Sequence, residues 1–269
     1  METKKNTFRF YMHIYRMILT QDIKSKMSYR ADFIISTIGI LFTDIAGFVA
    51  FYILFRNFPS IMGWNYYEML YLYGFSLVAL TPVQCFFDNN WNLRGKLYSG
   101  EFIKYYFRPI NLFFYFISEV FDIKGVGQFL FGVGTIIYTW GKLGLAVNPG
   151  TILLFIAGVI TASLFMIAIM NFAAGTSFWM MGSTMIMILM FKFKDYARYP
   201  VTIFKSVFRF IFTFIIPIAF MAYYPSLVLI RPEQVSVLTY LSPVLGAVFV
   251  YASYRFWMFG AKNYAGTGS

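Results

Sequence analysis

Among the charged residues within apolar stretches long enough to cross a bilayer are Asp44, Glu119, Asp122 and Lys124, all well away from the stretch ends. A charge at the centre of a membrane helix costs about 2.5–3.5 kcal/mol on insertion scales, so such residues tend to face one another or an aqueous cavity. Asp44 follows Phe33, the start of the first stretch, by 11 positions, and Lys124 follows Ile110, the start of the third, by 14. Both stretches start from the same side, so the two charges should lie at similar depth. They are expected to pair or to share one cavity, against the alternative that each is hydrated alone. Glu119 and Asp122 are three apart and should share a helix face. They could accept a cation or a proton, or simply line a water-filled vestibule. A second set lies between two apolar stretches, at Trp91–Pro109: Arg94, Lys96, Lys104 and Arg108, the acid Glu101, and the turn formers Gly95, Gly100 and Pro109. Charges mixed with turn formers suit a docking loop better than a catalytic centre.

Catalytic chemistry is poorly supplied. The single cysteine, Cys85, permits no disulfide within the chain, and the single histidine, His13, has no evident partners. A phosphate-binding loop needs Gly-x-x-x-x-Gly-Lys-Ser/Thr, but Gly95-Lys96 and Gly141-Lys142 are each followed by Leu. No His-Glu-x-x-His or Gly-x-Ser-x-Gly occurs. An intramembrane enzyme is therefore disfavoured, and no metal, nucleotide or other cofactor is expected on the chain itself.

The elements that must position these residues follow from composition. The chain is 59% hydrophobic and 12% charged, whereas soluble domains carry about 25% charged residues. This indicates an all-α polytopic membrane protein. The net charge of +11 falls between apolar spans, so it reads as a topology and lipid-headgroup signal, not as a nucleic-acid surface. Residues 1–30 mix Lys4, Lys5, Arg9, Arg16, Lys24, Lys26 and Arg30 with apolar residues at helical spacing. They predict a cytoplasmic amphipathic helix in the interface plane rather than a cleavable signal. The rest, 31–269, reads as one transmembrane domain. Its spans are predicted near 33–55, 67–87, 110–138, 151–172 and 238–259, with Asn171–Ser177 as a short cytoplasmic turn. Between the last two, 174–193 can span, and 199–224, interrupted by Lys205, Arg209 and Pro217, either re-enters or spans. Six spans with both termini cytoplasmic is the preferred topology, although it leaves six basic residues between 192 and 231 on the outer side. Seven spans is the alternative. No internal repeat is evident.

Several short motifs, in order, resemble the permease subunits of bacterial type-2 ABC exporters, the ABC-2 family transporter proteins. These are Ser28-Tyr29-Arg30-Ala31-Asp32-Phe33; Gly63-Trp64, Glu68 and Leu72-Tyr73-Gly74; and Gly100, Phe102 and Arg108-Pro109. Later come Tyr199-Pro200, Phe204, Arg209, Ile216-Pro217, Tyr224-Pro225 and Tyr264-Ala265-Gly266. Within the loop, Ile103 and Tyr106 stand where the family pattern has Asp and Leu. The resemblance implies six spans, an N-terminal amphipathic helix and outer re-entrant helices before the last span. It implies a plasma-membrane exporter made of two permeases, as a homodimer or heterodimer, above separate ABC ATPase subunits that bind ATP and Mg. In that case the 91–109 loop, with a helix from Gly100 to Phe107, docks into the ATPase. An ATP-independent channel or membrane scaffold is the alternative function.

Overall fold

The computed structural model describes residues 8–27 and 30–264, with backbone alone for 30–33. Lys4, Lys5, Ser28, Tyr29, the side chains of Arg30–Phe33 and the Ala265-Gly266 of the last motif lie outside the described residues. The described chain is helical, with no strand beyond an isolated bridge between Ile61 and Trp64. The all-α expectation agrees with this. The helices are α1 (Phe8–Met27), α2 (Arg30–Asn57), α3 (Tyr66–Phe86), α4 (Leu93–Tyr98), α5 (Leu112–Ser118), α6 (Lys124–Lys142), α7 (Pro149–Gly175), α8 (Ser183–Phe193), α9 (Ser206–Phe210), α10 (Tyr223–Ile230) and α11 (Val237–Asn263). Four segments are long and apolar enough to cross a membrane: Ile34–Asn57, Tyr66–Phe86, Pro149–Phe178 and Val237–Asn263.

Local sequence starts these helices at defined points. Asn65 and Glu68 form a reciprocal capping box at the head of α3, as do Asn148 and Thr151 at α7, where Pro149 takes the first helical position. Before α3 the chain reverses in a tight turn, with Met62 and Gly63 both at positive φ between the paired backbones of Ile61 and Trp64.

Helix α3 is the central post, the most deeply buried of the long segments. It packs along α6 and α7 and touches α2 and α10. Its approach to α6 is close because glycines face each other: a Cβ at Gly74 would lie 3.1 Å from the Gly132 carbonyl, and one at Gly132 just as near the Gly74 carbonyl. Small residues at such crossings allow backbone-close packing where no hydrophobic gain separates helix from lipid.

Three boundaries differ from the expected ones. The third apolar stretch is two helices, not one: α5 ends at Ser118 and α6 begins at Lys124. The cause is polar. Glu119 is drawn to Lys96, Lys104 and Tyr105, and the Asp122 amide donates to the Cys85 carbonyl at 3.1 Å. Glu119 and Asp122 therefore do not share a helix face. The turn expected at Asn171–Ser177 is helical instead, because α7 and a 3-10 turn carry the chain to Phe178 before it reverses. Helix α8 then has only 11 residues, about 16 Å of rise. After it come a 3-10 turn at Val201–Ile203, α9, a π turn at Ile211–Ile215 and a 3-10 turn at Ile218–Met221. This is the broken backbone that Lys205, Arg209 and Pro217 suggest.

Candidate functional site

The loop after α3 is a folded plate. A 3-10 turn, Asp88–Asn92, leads into α4. Gly100 then takes φ +77°, a left-handed conformation that suits glycine, and reverses the chain into a second 3-10 turn, Glu101–Tyr105. That turn stands where a helix from Gly100 to Phe107 is expected. Phe102 is fully buried and meets the rings of Phe116, Phe178, Trp257 and Tyr264. Two hydroxyls reinforce it: Tyr264 donates to the Leu97 carbonyl at 2.7 Å, and Tyr106 donates to the Ala261 carbonyl. The plate is thus joined to α5, to the end of α7 and to the end of α11.

Glu119 is its electrostatic centre. Its carboxylate takes Lys96, Lys104 at 2.8 Å and the Tyr105 hydroxyl. Burial alone would raise the Glu119 pKa, but hydrogen bonds from Lys104, Lys96 and Tyr105 overcome this and hold it down at about 2. Burial also pushes the Lys96 ammonium below its usual range, against the pull of Glu119. Lys96 and Lys104 are therefore engaged within the chain. The outward face carries Arg94, Gly95, Glu101, Arg108 and Pro109, all exposed, with Gly100 half-buried. It also carries Tyr98 and Phe107, 83% and 79% exposed, which charge patterning alone does not single out.

Asp44 lies at a second site. It is only 4% exposed, and no ion pair joins it to Lys124 among the described residues. Instead Oδ1 accepts from Gln128 Nε2 at 3.1 Å, one helical turn beyond Lys124 on α6. The Asp44 carbonyl accepts from the Tyr73 hydroxyl at 2.8 Å. The expected pair is thus displaced by a turn: Lys124 sits at the head of α6, where its amide donates to Asp122 at 3.1 Å and its charge acts on Asp88. Asp88 is raised to about 6, first by burial and then by Asp122, with Lys26 and Lys124 opposing.

The other carboxylate oxygen of Asp44, Oδ2, is buried without a protein partner. It borders a cavity of about 50 Å³ shared with Tyr73, Ser76, Lys194, Asp195 and Arg198, enough for a few waters. Lys194 and Arg198 pair with Asp195 at 2.8 and 3.2 Å, and the Arg198 guanidinium lies 5.5 Å from the Tyr73 ring centre. Gly47 makes this approach possible, since a Cβ there would lie 2.5 Å from the Tyr73 hydroxyl. Sequence reading brings Asp44 to light. Gln128 and the Lys194-Asp195-Arg198 group come into it only through the fold.

A third cluster lies at the N-terminal head of α3. Arg231 grips the Glu68 carboxylate through Nε and Nη2 at 2.7 and 2.8 Å and lies 3.9 Å over the Trp64 ring. Trp64 Nε1 donates to Thr202 at 3.1 Å. The late element is thereby fastened to the head of α3.

Among the described residues no group of three or more His, Cys, Asp or Glu side chains could hold a metal ion. A family model described as ABC-2 family transporter protein matches residues 41–268. No curated protein and no solved structure matches the chain.

Proposed function

The chain belongs to the ABC-2 family of transporter proteins, and from this we propose that it is the permease subunit of an ATP-driven exporter whose ATP and Mg are bound by separate ATPase subunits. The single observation that carries the coupling is the 88–109 plate, a rigid loop fastened to three helices with exposed aromatic residues on its outer side. A partner that pushes on Tyr98 and Phe107 moves α5, α7 and α11 together. Arg94, Glu101 and Arg108 rim that contact, because exposed aromatics flanked by charges are what partner surfaces recognise.

In this reading the spans are α2, α3, α6, α7, α8 with its preceding turn, and α11. Residues 199–224 re-enter from the outer side, both termini are cytoplasmic in the plasma membrane, and α1 lies in the interface. Two permeases, identical or related, complete the pathway. The aqueous cavity at Asp44 and Arg198 is the polar point along it. The broken backbone of 201–221 supports re-entry, since irregular backbone at membrane depth must be sheltered by protein.

Co-purification from native membranes, probed for an associated ABC ATPase, tests the proposal. Tyr98→Ala with Phe107→Ala should leave the chain folded and weaken ATPase capture at least tenfold, as expected for aromatic anchors. Capture that is undiminished, or that never occurs with the native loop, overturns it.

A further inference from the structure

The N-terminal half of α1 does not close onto the bundle, whereas Asp22 and Lys26 near its other end are hydrogen-bonded to the backbone of Phe121. Between that half and the corner of α3 and α5 runs a groove of about 680 Å³, lined by Phe8, Tyr11, Met12 and Tyr15 on one side and by Phe87 and Phe114 on the other. Few direct contacts hold the N-terminal half of α1 here: the Tyr11 ring meets Phe114 at 4.8 Å, and its hydroxyl accepts from the Asn111 amide at 3.4 Å. The Ser118 hydroxyl, also in the lining, already donates to the Phe114 carbonyl. A groove so apolar gives water little to bond, and it suits a hydrocarbon chain.

The charge beside it narrows the occupant. Arg9 and Arg16 are seven residues apart, 20° short of two full helical turns, so they form one stripe on the flank of α1 beside the groove-lining residues. Both are exposed, and among the described residues neither has a carboxylate partner. The apolar span of α2 begins at Ile34, shortly after α1 ends, which sets the groove at the bilayer surface. We propose that this groove binds the acyl chain of an anionic phospholipid whose phosphate rests on Arg9 and Arg16, so that the lipid fills the gap between α1 and the bundle. The proposal needs α2 to span a membrane. It does not depend on the ATPase or on export.

Native mass spectrometry of the purified chain, mixed with equal amounts of dioleoyl phosphatidylglycerol and dioleoyl phosphatidylcholine, tests it. Phosphatidylglycerol should be retained preferentially. Arg9→Gln with Arg16→Gln should reduce that retention about 30-fold, at about fivefold per arginine, to the level of phosphatidylcholine. Because α1 holds no buried residue, the circular dichroism should not change. A Met12→Trp probe should be quenched by phosphatidylglycerol brominated in its acyl chains. Equal retention of the two lipids, a preference that survives both substitutions, or an unquenched probe overturns the proposal.

Discussion

Glu119 shows why the type of a residue predicts less than its neighbours do. In the sequence it is an acid inside an apolar run; in the fold it gathers two lysines and a tyrosine from a loop 14–23 residues away. Lys96 and Lys104, legible as docking cations, turn out to be engaged by it. Glu119→Gln leaves the half-buried Lys96 ammonium without its carboxylate, and should cost about 1–2 kcal/mol of stability, discounted for partial exposure. Lys104→Ala should cost under about 1 kcal/mol, since that pair is largely exposed. Thermal melts in detergent check both. The pH dependence separates two acids. Glu119 is depressed to about 2, so its contribution is present above its ordinary 4.5 and is lost only as pH falls through about 2. Asp88 is raised to about 6, so its contribution is present below 3.8 and is lost as pH rises through about 6. Asp88→Asn should therefore stabilise the chain by about 1–2 kcal/mol at pH 7.5 and have no effect at pH 4. Melts across that range decide it.

At the scale of elements, the long spans are legible because an unbroken apolar run of about 20 residues has few alternatives. The broken ones are not. Glu119–Ile123 contains no proline or glycine, and what interrupts the helix there is a long-range set of hydrogen bonds that no local pattern reveals. Phe102 is similar: the motif marks it as a loop residue, but nothing local shows that it is where α5, α11 and the turn after α7 meet the loop. Phe102→Ala should cost about 3–5 kcal/mol, and Phe102→Leu under about 1.5 kcal/mol. If both variants still bind the ATPase but only the first loses transport-linked ATP hydrolysis, the loop acts through its anchoring. The Arg231–Glu68 clasp makes a parallel case. Arg231→Lys keeps the charge but loses the two-pronged grip on Glu68, and should lower the melting temperature by several degrees, read in the same assay.

For the whole molecule, composition and motif order reveal the family and the helical class, because both are properties of the entire chain. The path of the chain across the bilayer is a finer matter, since α6 and α8 are marginal as spans by length and polarity. With Cys85 replaced by Ser, single cysteines at Lys142 and Met62 should react with an impermeant thiol reagent from outside intact cells. Cysteines at Tyr98 and Lys262 should react only after lysis. Labelling of Lys262 from outside would instead favour the seven-span path.

The interruption between α5 and α6 gives the third span two allegiances. Its first part, α5, is bonded through Glu119 to the loop, and its second part, α6, lies glycine to glycine against α3. In the proposed exporter, a displacement imposed on the plate would be shared unequally: α5 would travel with the plate, whereas α6 would stay with the central post. If the proposed ATPase drives this plate, the five residues between the two helices are where a slip would be taken up, with the Asp122 amide already held by the Cys85 carbonyl on the α3 side.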